Sequence, residues 1–310
     1  MEEKTYAQMK EEFRLFYHKE VKDKLAEYEQ MRKQNVPKLL CVYGIIISTL
    51  CAWILGALGI KNYSIIFFIL LFVFAGILLI INKFSNKDFF NNTEKVLKNI
   101  LMKKFLEIFF TNFKWKNSIS NKDIPKIQQY LSLNILNKAP FIVFDDMIIG
   151  LFRNVSIAIY EANNYTFRGL IVEFQMNKNF EGHTFFLEKS LSAKKIPINS
   201  SVFKEVKLEM SEFSKNYTTY SDNQVEARYL LTTAFMERIC NLNLAFKAKF
   251  VRGAFKDDKL TLAIDCGKDM FAMGSNFKTS SSKTFSQLYD EMISILKIID
   301  ELKLNERTGL

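Results

Sequence analysis

From Leu39 to Ile60 the chain reads LLCVYGIIISTLCAWILGALGI, and from Tyr63 to Ile81 it reads YSIIFFILLFVFAGILLII, both without a charge. A helix of about 20 residues crosses the ~30 Å hydrocarbon layer of a bilayer, and each run has about that length. A buried helix pair in a soluble protein is the other reading; two adjacent uncharged runs argue against it. Only Lys61-Asn62 separates the runs, which leaves room for a tight turn. A cleaved signal peptide begins near residue one with a short basic region, whereas here a long charged segment comes first. The sequence therefore predicts a transmembrane helical hairpin over residues 38–84, with spans 39–60 and 63–81.

Basic residues orient that hairpin. Arg32, Lys33 and Lys38 precede the first span; Lys83, Lys87, Lys95, Lys98, Lys103 and Lys104 follow the second; Lys61 alone marks the turn. The positive-inside rule puts both termini in the cytoplasm of a multi-pass inner-membrane protein whose first partner is the lipid bilayer. Gly44, Ser48, Ala52 and Gly56 recur every fourth residue and form a stripe of small side chains that permits close helix packing. The stripe predicts pairing with the second span, where Ala75 and Gly76 offer a notch, or with a homo-oligomeric copy or another protein partner. Neither span contains an ionisable side chain of the kind that marks a proton relay or ion path.

The flanks are amphipathic. In residues 1–37, Tyr6, Met9, Phe13, Phe16, Tyr17, Val21, Leu25, Tyr28 and Met31 share one side at helical spacing, and Pro37 is expected to break or bend the chain at the membrane surface. Residues 85–116 read as a basic, aromatic helix with Phe90, Leu97, Leu101, Phe105, Ile108 and Phe109 on a stripe, able to pair with the first as a stalk. Within it, LMKKFLEIFFTNFKWK (Leu101–Lys116) suits either an anionic membrane surface or a protein core. The core reading is favoured.

A formal charge of +10 over 310 residues comes mostly from lysine. AT-rich coding DNA produces the same Lys, Asn, Ile and Phe excess, and no nucleic-acid-binding motif accompanies it, so no nucleic acid is indicated. Cys41, Cys51, Cys240 and Cys266 have no CxxC spacing, and His18 and His183 lie far apart. No metal site, cofactor or disulfide framework is predicted. Walker, GxGxxG, GxSxG, HExxH, EF-hand and kinase signatures are missing. Asp145-Asp146 and Asp257-Asp258 read as turn corners, and His183, after the bend expected at Gly182, reads as a surface histidine. No catalytic residue is assigned.

Residues 117–310 read as a cytoplasmic α+β domain with mixed short strands, one internal helix and a C-terminal helix. NKDIPKIQQYLSLNIL opens with helix-start signals at Asp123 and Pro125. Val155, Ile157 and Ile159 alternate with Ser156, Ala158 and Tyr160; FRGLIVEFQM, TFFLE and VKLEM are further strand candidates. AFKAKFV and KLTLAI flank Asp257-Asp258 as a hairpin. Phe285, Leu288, Met292, Ile295, Ile299 and Leu302 give a closing helix over Thr284–Leu302.

SDNQVEARYLLTTAFMERI (Ser221–Ile239) predicts one capped helix, with Ser221, Asp222 or Asn223 as N-cap and Val225, Tyr229, Thr232, Phe235, Met236 and Ile239 on its packed side. Its Asp222, Val225, Glu226, Arg228, Tyr229, Met236 and Glu237 resemble the signature of an uncharacterised bacterial membrane-protein family, domain-of-unknown-function family 3137. VKLEMSEFSKNYTTYSD looks like the lead-in of that family; FDDMIIGLF, VSIAIYEANN and FRGLIVEFQMNKNF resemble its earlier elements. The resemblance spans roughly Phe141–Leu302, with Thr233 where proline is expected. It implies a membrane-anchored cytoplasmic domain and no catalytic residue.

The function expected is a membrane-tethered binding or scaffolding module. The runner-up is an enzyme acting on a lipid or membrane-proximal substrate, which requires Asp145, Asp146, Glu226 or His183 to converge on one pocket. An oligomeric channel or transporter comes third.

Overall fold

The computed structural model describes residues 4–59, 61–84, 93–117, 132–137, 142–164, 166–190, 193–273, 281–302 and 304. The chain forms two compact units. One comprises Arg14–Met102 and Met273–Phe285; the other comprises Met1–Phe13, Lys103–Ala272 and Ser286–Leu310.

The helical unit is dominated by two long helices. Helix α1 (Tyr6–Phe16), whose residues up to Phe13 belong to the other unit, passes through a π-helical turn, Tyr17–Val21, into α2 (Lys22–Ala57), and α3 (Lys61–Phe84) follows. Pro37 does not end the helix: α2 runs through it for 36 residues. An interior proline deletes one backbone hydrogen bond, and so long a helix keeps the rest on either side. The connecting turn also sits earlier than Lys61-Asn62. Leu58 donates to the Ile54 carbonyl and Gly59 to the Gly56 carbonyl, with Gly59 at φ +75°. Only glycine takes that left-handed conformation without penalty, which is why the helix stops there. Lys61 is already the first residue of α3.

Within this unit Cys41, Ser48 and Ala52 are buried on one side of α2, and a Cβ on Gly44 would come 2.8 Å from the Phe74 ring of α3. The small residue at 44 lets that ring approach the backbone. At Gly76, expected as part of the facing notch, no described residue beyond its own helix backbone and chain neighbours comes within 4 Å of the place its Cβ would take. Among the described residues one helix is long and apolar enough to cross a membrane, in the segment Leu40–Ala57; the apolar stretch of α3, Ile66–Ile77, is shorter. The second span read at 63–81 is therefore not confirmed as a spanning helix among the described residues.

The other unit is built on one antiparallel sheet. Nine strands are ordered β1-β2-β3-β4-β9-β8-β5-β7-β6: β1 (Phe113–Lys116), β2 (Val143–Phe152), β3 (Val155–Asn163), β4 (Arg168–Gln175), β5 (His183–Glu188), β6 (Lys204–Val206), β7 (Tyr217–Ser221), β8 (Phe250–Lys256) and β9 (Lys259–Asp265). The alternating 155–160 segment, FRGLIVEFQM and TFFLE form strands as expected, whereas only Val206 of VKLEM does. Asp257-Asp258 connects β8 to β9 as predicted, Asp257 having φ +57°. The helix anticipated after Asp123 falls mostly on residues outside those described.

Leu101–Lys116 is not one helix. Helix α4 (Thr93–Leu106) ends, a turn follows, and Phe113–Lys116 is strand β1 paired with β2. Phe113 and Trp115 point inward while Lys114 and Lys116 point out, a period of two that overrides the helical reading. Leu101, Phe105, Ile108, Phe109 and Phe110 are all buried, so the segment is core. Phe110 lies against β2 where Gly150 leaves room.

Among the described residues three helices, not one, lie between the strands: α5 (Ser211–Asn216), α6 (Gln224–Leu230) and α7 (Thr233–Phe246); α8 (Ser282–Glu301) follows the last strand. The single helix expected over 221–239 is broken at Leu231-Thr232. Asn223 caps α6 by accepting from Val225 and Glu226, and Thr232 caps α7 by accepting from Phe235. The break shifts the helical phase. Ala227, Leu230 and Leu231 are buried before it and Phe235, Met236 and Ile239 after it. Val225 and Tyr229, read as packed, are 79% and 56% exposed.

On one face of the sheet Phe185, Leu187, Phe250, Ala254 and Ala263 join Leu133, Ile135, Leu136 and Ile196 in a core cluster. On the other, Phe235 of α7 packs on Phe255 and Phe213 of α5 on Phe186. Tyr289 of α8 stacks on Phe13 of α1.

Candidate functional site

The register of β5 against β7 sets Leu187 opposite Thr218 and Phe185 opposite Tyr220. These four side chains share one face, because alternate residues of paired strands point the same way. The chain then leaves β5 through Lys189 and Ser190, makes a short 3₁₀ turn at Ala193–Lys195, and returns over the sheet with Ile196 and Ile198. Between them opens a groove of about 500 Å³. Leu187, Ile196 and Ile198 make its apolar floor; Glu188, Lys189, Ser190 and Lys194, with the hydroxyl-bearing Thr218 and Tyr220, make its polar side.

One buried cation organises that polar side. Arg252 of β8 is only 1% exposed. Its Nε and Nη2 donate to the two carboxylate oxygens of Glu188 at 2.7 and 2.6 Å. Its Nη1 donates to the Ile135 carbonyl and to Asn137 Oδ1, and its plane lies 3.8 Å from the centroid of the Phe250 ring. A planar guanidinium satisfies a carboxylate at both oxygens in this way, and lysine cannot. Ser190 Oγ adds a further hydrogen bond to Glu188. The negative charge of Glu188 is thereby committed inside the protein.

Lys189 and Lys194 are exposed, and among the described residues neither has an acidic partner. Burial, and then Glu205 opposite it on β6, raises the pKa of the Tyr220 phenol. Beside the groove lies a smaller notch of about 250 Å³ that shares Lys189 and Thr218 with it. The notch opens where β6 stops at Val206 opposite Thr219 and leaves the start of β7, Tyr217 and Thr218, without a strand partner on that side among the described residues.

The residues weighed for an enzyme are not brought together. Asp145 and Asp146 lie in β2 at a register shift rather than in a turn, and buried Asp146 accepts from Trp115 Nε1 at 3.0 Å. Four strands separate β2 from β5, roughly 24 Å at the usual strand spacing, so these carboxylates are remote from His183. Glu226 forms an ion pair with Lys178 at 3.1 Å, and that lysine also stands over the Tyr229 ring. His183 is not on the surface: it is 6% exposed, against the rings of Phe185 and Phe203. Burial first and Lys256 second pull its pKa down to about 4. Its backbone N–H donates to Asp222 at 2.7 Å, so the signature aspartate holds the start of β5. Arg228 reaches the Gln224 carbonyl, Glu237 is exposed, and Met236 is core. Among the described residues no three His, Cys, Asp or Glu side chains gather as a metal site would require.

Sequence reading missed Arg252 and Glu188. The signal was present: an arginine inside the apolar strand FVRGAF and a glutamate ending the apolar strand HTFFLE. A charge within such a run is kept only where a partner waits for it.

Comparison with curated proteins finds no match. The crystal structure of the mycobacterial trehalose monomycolate transport factor A, TtfA, aligns with a TM-score of 0.35 at 9% identity, over 61% of this chain and 88% of that one. So distant a likeness carries no functional meaning here. Residues 165–304 match the family described as "Protein of unknown function (DUF3137)", which leaves β2 and β3 outside the match although the sequence resemblance extends over them. The matched part of the chain thus runs from β4 to α8 and resembles that family.

Proposed function

We propose that this chain is a membrane-tethered binding module: α2 and α3 form a two-helix anchor, and the sheet unit presents the groove beside β5 and β7 on the cytoplasmic side. The observation that carries this reading is the outward apolar surface of Leu40–Ala57. Tyr43, Ile46, Ile47, Leu50 and Trp53 are all exposed, Trp53 at 73%, as are Phe68, Phe72 and Leu79 on α3. Water-soluble proteins rarely leave so continuous an apolar surface uncovered; lipid covers it at no cost. The lysines and arginines that flank the two helices favour termini on the cytoplasmic side.

The test uses the full chain with a C-terminal tag. After a high-pH carbonate wash the protein is expected in the membrane pellet, its tag protected from protease in intact spheroplasts and digested in inside-out vesicles. Release into the supernatant overturns the anchor; digestion from outside overturns the orientation.

A further inference from the structure

We infer that the groove beside β5 and β7 takes an anionic amphiphile, a carboxylate or phosphate head group bearing a short apolar chain. The inference rests on the groove being the ligand surface of the module proposed above, and goes further in naming what fills it. Three observations combine. The groove, about 500 Å³, falls in the range of roughly 300–1,000 Å³ in which small-molecule sites are found. Its floor is hydrocarbon, supplied by Leu187, Ile196 and Ile198, so a bare inorganic anion would leave most of it unused. Its one carboxylate, Glu188, is bound at both oxygens by buried Arg252.

That commitment sets the charge. In a chain of formal charge +10 exposed lysines are common, and most surface lysines mean nothing. Lys189 and Lys194 differ because they border an apolar concavity whose own acid is already neutralised from behind. The Tyr220 phenol lines the same groove and supplies a donor. A neutral apolar ligand would leave the two ammonium groups without a counter-charge, whereas an acyl carboxylate or alkyl phosphate uses both the floor and the rim.

The experiment takes the full chain in phosphatidylcholine nanodiscs and a photoreactive decanoic acid as probe, with labelled peptides located by mass spectrometry. Labelling is expected in the peptides that contain Leu187–Ile198 and Thr218–Tyr220. Decyl phosphate should compete; inorganic phosphate at equal concentration should not; the matching photoreactive alcohol should label the groove weakly. Replacing Lys189→Gln and Lys194→Gln together should weaken acid labelling roughly three- to tenfold, as two exposed charge pairs would, and added salt should weaken the native protein in the same direction. Equal labelling by acid and alcohol, full competition by inorganic phosphate, or labelling indifferent to the two lysines would each overturn the assignment. A carbonate wash of membranes bearing the same protein separates the two readings: release with groove labelling intact sinks the anchor alone, and retention without groove labelling sinks the ligand alone.

Discussion

At the scale of single residues, the strongest commitment in the sheet unit is the Arg252–Glu188 pair. Removing one partner of a buried pair strands the other charge and costs about 3–5 kcal/mol, whereas replacing both by apolar groups is often neutral. Arg252→Ala should therefore lower the thermal midpoint sharply, and Arg252→Met with Glu188→Leu should recover most of the loss. A double variant as unstable as the single one would show that the bonds to Ile135 and Asn137, not the ion pair, hold this corner. His183 makes a second prediction, with the sign set by its lowered pKa. Its ordinary pKa is 6.5 and its folded value about 4, so the unfolded chain binds the extra proton between those values. Stability is then full above about pH 6.5 and falls as the pH drops towards 4, by on the order of 3 kcal/mol in total. Denaturation curves of the native protein and of His183→Phe over that window should diverge, with the variant the flatter. Parallel curves would rule out His183 as a source of acid sensitivity. The bend at Gly182 was legible in the sequence, since φ there is +89°. The burial of His183 was not, because Phe203, one of the two rings that cover it, comes from a distant segment.

At the scale of elements, period and punctuation carried most of the information, and failures occurred where two short elements share one pattern. The closing helix was legible because it is long and keeps one period throughout; the β8–β9 turn was legible from Asp257-Asp258, although AFKAKFV sets the first strand too early, its Ala245 and Phe246 belonging to α7. Ser221–Ile239 was misread as a single helix because both halves are apolar at three and four. What separates them is one capping hydrogen bond, from the Phe235 amide to Thr232, in a stretch whose composition does not change. The same geometry makes Thr233 the first residue of α7, where proline is most at home. Thr232 before it is extended, at φ −63° and ψ 158°, the conformation that a following proline demands. Thr233→Pro is accordingly expected to be neutral or to stabilise by about 0.4–1 kcal/mol. Thr232→Ala should destabilise by about 1 kcal/mol through loss of the cap. Thermal shifts of opposite sign, or a flat response for the proline beside a drop for the alanine, meet that expectation; a drop for Thr233→Pro means that the helix does not begin there. The groove was legible only in pieces, as strand TFFLE and lysines in a loop, because its shape depends on β5 meeting β7 across the intervening loop and α5.

For the whole molecule, the difference between a tethered module and a free one turns on Leu40–Ala57. The chain before it is heavily charged, and its large exposed side chains are Leu, Ile, Tyr and Trp. Composition makes this segment unmistakable, whereas the reach of α3 is decided by where its apolar run meets Lys83, which hydrophobic length alone does not settle. An arginine near the centre of a spanning helix costs about 2.5–3.5 kcal/mol of insertion. Leu50→Arg places one there, on a side chain that is 55% exposed. Leu15→Arg is the matched control: Leu15 is 58% exposed on α1, outside the apolar segment. The first substitution should shift the chain from the carbonate-resistant membrane fraction towards the soluble or degraded pool, and the second should leave the distribution unchanged. Equal membrane retention of both variants would mean that lipid does not cover Leu50, and the exposed apolar surface of α2 would then have to be explained by contact with protein.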